Sequence, residues 1–248
     1  MRATLKIKNK QVTVNLSKPL DISIPLSAET KNPLAWYIDK PEISPVIMGD
    51  WVGSVENGAS VNFNNIQFNP HAHGTHTECV GHISREFNSI HEALKEYFFS
   101  AEVVTVTSRG INGDEVITKE AIEKSLKVMN TQAIVIRTNP NSASKRSKKY
   151  SNTNWPYLAE DAAQFIHDLG IEHLLIDLPS VDKEKDEGAL KAHKAFWNYP
   201  KAPRFNSTIT EFIYVPNSIK DGSYLLNLQV ANFVNDAAPS RPVLYKFL

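Results

Sequence analysis

Apolar and polar positions alternate over the first 26 residues: Leu5 and Ile7, then Val12, Val14 and Leu16, then Leu20, Ile22, Ile24 and Leu26. This period of two around Lys8-Asn9-Lys10 predicts a β-hairpin extension at about 1–16 and a third strand that ends near Pro25. Residues 27–60, with prolines at 33, 41 and 45 and glycines at 49, 53 and 58, hold no period and predict a long irregular segment carrying Trp36, Tyr37 and Trp51. A strand at 61–68 follows and leads straight into a run of histidines. The later chain changes rhythm. Ser89 reads as the cap of a helix running through Leu94 to Phe98, and Val103 to Thr107 as a β-branched strand. Thr118 caps a helix marked by Ile122, Leu126 and Met129, and Ala133 to Ile136 reads as a buried strand. Leu158, Ala162, Phe165, Ile166 and Leu169 share one helical face that Gly170 stops, before a strand at His173 to Leu178. A helix over Gly188 to Trp197 and strands near 209–215, 224–230 and 243–247 complete the pattern. It predicts a single α/β domain over residues 1–248 with a mixed sheet and strands at both ends of the chain.

Composition changes this picture little. Hydrophobic residues make up 42% of the chain, enough to bury a core and to exclude a disordered or fibrous protein. The 27 basic and 27 acidic residues cancel, which argues against nucleic acid or an anionic membrane as a partner. One cysteine forms no intramolecular disulfide, the opening residues lack the apolar stretch of a signal peptide, and no run approaches a membrane span. The expectation is a cytoplasmic protein.

The chemistry concentrates at residues 71–82, HAHGTHTECVGH, which hold four of the eight histidines where an even scatter would place roughly 0.4. Imidazole, carboxylate and thiolate are the donor set for zinc and its first-row neighbours, so His71, His73, His76, Glu78, Cys79 and His82 are candidates for a metal or catalytic site. Cys79 is more simply read as a small buried apolar group. His91, His167 and His173 lack a donor partner at ligand spacing and read as packed or surface residues. Lys145, Arg146, Lys148 and Lys149, among serines and asparagines, read as a solvated surface excursion.

The same residues carry a resemblance. Gly74, Thr75, His76 and His82 match the H-x-G-T-H-x-D-x-P-x-H signature of the cyclase-like metal-dependent hydrolases, the family of bacterial kynurenine formamidases and isatin hydrolases. Leu20-Asp21-Ile22-Ser23-Ile24-Pro25-Leu26, Ile134-Val135-Ile136-Arg137-Thr138 and Asp177-Leu178-Pro179-Ser180-Val181-Asp182 resemble further family segments, so the similarity spans roughly 20–235. Glu78 stands for the family's aspartate, Val80 for its proline and Ala72 for its first histidine, which leaves His71 or His73 to take that place. The resemblance implies a swivelling β/β/α fold and one or two divalent ions, zinc or manganese, that activate water against an amide or lactam carbonyl. It implies His71, His76, Glu78, His193 and Glu211 as ligands and His82 as the acid/base. It also implies a homodimer or higher homo-oligomer acting on a small molecule, with Trp51 in the loop before the motif as a substrate contact. The departures from the signature carry a rival reading, a domain without turnover that binds a small molecule or a partner. A Cys-His hydrolase using Cys79 is a third.

Overall fold

The computed structural model describes residues 1–7 and 10–248. Its frame is a nine-stranded mixed sheet whose four central strands are parallel: Phe98–Thr107, Ala133–Asn139, His173–Ile176 and Thr208–Glu211. The near-continuous apolar runs of Ala133–Asn139 and His173–Ile176 are what a parallel strand covered on both faces requires. Antiparallel strands extend each side. Gly222–Asn227, Val243–Lys246 and Leu20–Asp21 lie beyond Phe98–Thr107; His76–Glu78 and then Ala237–Pro239 lie beyond Thr208–Glu211.

Among the described residues five α-helices follow in chain order: α1 (Pro70–His73), α2 (Ile90–Ala93), α3 (Lys119–Ser125), α4 (Glu160–Asp168) and α5 (Lys191–Trp197). Strand alternation divides the core between the two faces. Ile134, Ile136, Leu174, Ile176 and Ile209 pack with Ile122 of α3, Ala162 and Ile166 of α4, and Phe196 and Trp197 of α5. Val135, Leu175, Val103 and Leu226 face the other way, against Ile90 of α2, Ile213, Val215 and Cys79.

The predicted hairpin is present as strands Arg2–Ile7 and Lys10–Asn15, paired from Arg2 with Asn15 to Ile7 with Lys10; the expected turn at Lys8-Asn9 lies outside the described residues. Several elements differ from expectation. The helix at Ser89 is a single turn, although Ser89 caps it through Glu92 N–H, and the chain is in the sheet again by Phe98. Met129 lies beyond the end of α3 and is half exposed. The segment read as irregular holds two ribbons: Glu42–Pro45 pairs with Asn64–Gln67, and Ile47–Met48 with Trp51–Val52. Ile47, Met48, Val61, Phe63 and Ile66 of this arm are exposed. Lys145 is a correction to the solvated excursion. It turns inward, its Nζ 2.8 Å from the fully buried carboxylate of Asp177, which also accepts from Thr138 N–H and Oγ1.

His173 is packed as expected, with consequences for acid stability. Its Nδ1 lies 2.9 Å from Thr208 Oγ1 and its ring 3.9 Å from that of Phe99. Burial, with Arg204 nearby, pushes its pKa down to about 3. The unfolded chain therefore takes up a proton near pH 6.5 that the folded chain refuses, so this stabilisation is whole above that pH and is lost as pH falls towards 3. Between pH 7 and pH 5 the loss from this one group is about 2 kcal/mol. Urea unfolding of the wild type and His173→Gln at the two pH values checks this; equal pH dependence in both proteins would refute it.

Candidate metal centre

Strand His76–Glu78 sets the geometry of the site. It lies between Thr208–Glu211 and Ala237–Pro239, with His76 opposite Glu211 and Glu78 opposite Ala237. Alternation puts His76, Glu78 and Glu211 on one face, while Thr77 and Thr210 meet on the other at 2.8 Å. The strand turns out of the sheet through Val80–His82. Gly81 permits that turn, since a Cβ there would lie 1.9 Å from Asn88 O. Val80, where the family signature has proline, is buried in the helix-side core.

The structure distinguishes His71 from His73. Asn69 caps α1 by accepting from His71 N–H, and one helical turn separates residues two apart by about 200°. His71 thus reaches the cluster. His73 points away, its Nδ1 accepting from Asn69 N–H and its Nε2 2.8 Å from Asp39 O. A turn of helix, rather than a strand bulge, does this work.

Three histidines share one arrangement. His76 Nδ1 lies 3.0 Å from Gly74 O, which leaves its buried Nε2 without a hydrogen-bond partner, 3.4 Å from Glu211 Oε2. His193, on α5, bonds Asp182 Oδ2 at 2.6 Å through Nδ1 and presents Nε2 to Glu78 Oε1 at 3.0 Å. His71 bonds Asp236 Oδ2 at 2.9 Å through Nε2 and presents Nδ1 to Glu78 Oε2 at 3.1 Å. Each ring is anchored by one nitrogen to a carbonyl or carboxylate and aims the other at a common space, the way ligating histidines are held. His82 stands at the open side, its Nε2 3.8 Å from Glu78 Oε2 and its Nδ1 3.4 Å from Asp236 Oδ2. Glu211 Oε1 accepts from Val181 N–H and fixes the loop that carries Asp182.

Electrostatics agree with the geometry. Glu78 is fully buried; burial would raise its pKa, but His82, His193 and His71 outweigh this and hold it well below the carboxylate range. Burial likewise opposes protonation of His71, yet Asp236 and Glu78 lift its pKa to about 10, and Asp182 and Glu78 raise His193 despite its burial. Protons are drawn into this cluster where a cation would serve the same carboxylates. Glu78 Oε2, like His76 Nε2, is buried and without a hydrogen-bond partner, and His71, His76 and Glu78 offer three donor atoms within 4.8 Å of one another. The residues fit a divalent cation.

The structure therefore brings together His71, His76, Glu78, His82, His193 and Glu211. Trp51 it places on the arm, its ring 6.4 Å from that of Phe63; among the described residues no hydrogen bond, ion pair or ring contact joins Trp51 to the cluster. Cys79 lies in the core of the opposite face, its Sγ 3.4 Å from Asn88 O and its pKa pushed by burial up to about 11, a poor setting for a nucleophile. Asp182, in one of the segments that resemble the family, is the partner of His193 and also accepts from Ala192 N–H at the start of α5. Asp236 was not anticipated. It belongs to no motif and lies 165 residues beyond His71.

A buried set of imidazoles and carboxylates thus lies beside the edge of a mixed α/β sheet, a donor set suited to a divalent cation. The match to the family model described as putative cyclase, over residues 15–183, places this chain in that family. The chain is 26% identical over 230 residues to a kynurenine formamidase of Bacillus cereus, covering 92% of this chain and 97% of the relative. Its fold is similar to that of a potential metal-dependent hydrolase with cyclase activity, with a TM-score of 0.67, 19% identity, and 92% and 97% of the two chains covered. It is also similar to an isatin hydrolase bound to the product analogue thioisatinate, with a TM-score of 0.65, 15% identity, and 93% of each chain covered. Among the described residues no helix is long and apolar enough to cross a membrane.

Proposed function

We propose that this protein hydrolyses the C–N bond of a small amide or cyclic amide, with His71, His76, Glu78, His193 and Glu211 holding one or two divalent ions, zinc or manganese. The observation that carries the reading is the inward aim of three anchored histidines on a fully buried glutamate, with His76 Nε2 and Glu78 Oε2 left without partners. When bound, such an ion lowers the pKa of water from 15.7 to about 7 and polarises the substrate carbonyl. Glu78, presenting one oxygen to His193 and the other to His71, is placed to serve both parts of the ligand set. His82, partly exposed beside Glu78 and Asp236, is placed to hold a proton and pass it to the leaving nitrogen. The names of the kynurenine formamidase and the isatin hydrolase that this chain is similar to support this substrate class. The exposed apolar residues of the 42–67 arm support a homo-oligomer. Trp51, on that arm, is retained as a proposed substrate contact.

Metal content per chain, measured on protein purified without chelator, tests the reading. One or two equivalents are expected in the wild type and none in His76→Ala, with metal-dependent turnover of formanilide or isatin in the wild type alone. A wild type that takes up neither zinc nor manganese on reconstitution would instead favour the ligand-binding domain without turnover. A His76→Ala protein that kept both metal and turnover would end the ligand assignment.

A further inference from the structure

We infer that Asp236 is a positioning residue of this site: its carboxylate fixes the rings of His71 and His82, and so recruits as a ligand a histidine one place removed from the family's position. The inference rests on the metal-site reading above. Asp236 lies outside the matched residues 15–183, and the position two before Gly74 holds Ala72, which has no donor. Asp236 Oδ2 is 2.9 Å from His71 Nε2 and 3.4 Å from His82 Nδ1, and the two rings stack 4.2 Å apart at 28°. An ionised carboxylate only accepts, so each ring turns an N–H towards Asp236. The opposite nitrogens, His71 Nδ1 and His82 Nε2, then both face Glu78 Oε2, at 3.1 and 3.8 Å. One oxygen thereby sets the tautomer and the orientation of two rings.

Asp236 is itself held firmly. Its carbonyl accepts from Cys79 N–H at 3.0 Å, and the carbonyl of Asn235 accepts from Ile90 N–H at 2.8 Å. The next residue, Ala237, opens the strand that pairs with His76–Glu78, directly opposite Glu78. The carboxylate and the ligands it orients are therefore carried on adjacent strands in fixed register.

Zinc affinity, by competition with a chromogenic chelator, and kcat and KM with formanilide are to be measured for the wild type, Asp236→Ala and Asp236→Asn. Losing an outer carboxylate of this kind typically costs 10–100-fold in metal affinity, so about that loss is expected in the alanine variant, with kcat falling more than KM changes. Asparagine keeps an accepting oxygen in place and should stay within about threefold of the wild type. Wild-type affinity and kcat in the alanine variant would overturn the inference. A loss in asparagine as deep as in alanine would also overturn it, since the carboxylate's charge, rather than its orienting of the two rings, would then be what the site needs. A wild type that takes up neither zinc nor manganese overturns the metal-site reading and this inference together, whereas a metal-binding wild type with an unaffected alanine variant overturns this inference alone.

Discussion

Glu78→Gln is expected to give a folded protein that retains no divalent ion after dialysis and hydrolyses formanilide more than about a thousandfold more slowly than the wild type. The change is nearly isosteric, so the packing around a fully buried side chain is kept while its charge is removed. That charge faces His193 Nε2 at 3.0 Å, His71 Nδ1 at 3.1 Å and His82 Nε2 at 3.8 Å, and every proposed ligand histidine except His76 is aimed at it. Charge stabilisation by a bound ion is worth several kcal/mol; about 4 kcal/mol corresponds to the thousandfold stated. Metal analysis and turnover are read on the same preparation. A glutamine variant with the wild-type metal content and rate would remove Glu78 from the site. Glu78→Asp, which restores the family's residue, keeps the charge but draws it back by one methylene from His71 and His193, so weakened rather than abolished metal binding is expected.

The second large effect is expected at His82, and its pattern differs. His82→Gln should keep its metal, because His82 stands at the open edge of the cluster, 3.8 Å from Glu78, while His71, His76 and His193 remain anchored. Turnover of an anilide should fall by about 10²–10⁴-fold, the usual worth of a positioned proton donor. An aryl ester, whose phenolate departs without needing that proton, should lose far less. The ratio of the two losses is the informative quantity. Equal losses with anilide and ester would show that His82 does not serve the leaving group.

The legible part of this site was the part written locally. His76 and Glu78 are two apart, so a strand of any register puts them on one side, and the crowding of histidines at 71–82 marked the place. The choice between His71 and His73 was not legible, because it turns on whether Pro70 begins a turn of helix or a bulge, and both fit the same six residues. Asp236 left no trace, since its meeting with His71 is made by an edge strand of three residues whose pairing no local pattern specifies. The fold divided in the same way. The central parallel strands showed as short apolar runs because both of their faces are buried, and α3, α4 and α5 showed their periods because each buries one face in a core. The 61–68 segment has the apolar residues of a buried strand, yet Asn64–Gln67 is exposed throughout, because its partner is another strand of the arm rather than the main sheet. Lys145 read as a surface charge because the buried acceptor that captures it, Asp177, lies on a different strand end.

The cluster is assembled from segments far apart in the chain, with His71 and Asp236 separated by 165 residues and His193 and Glu211 between them. On the ribosome this imposes an order of events. A nascent chain that displays the histidines of 71–82 must wait for the whole α/β half to be made before the carboxylates that orient them exist. Any ion caught earlier would sit on an unfinished set of donors and exchange freely. For the proposed metal centre, loading therefore belongs to the finished polypeptide, in which the edge strand Ala237–Pro239 carries Asp236 to His71.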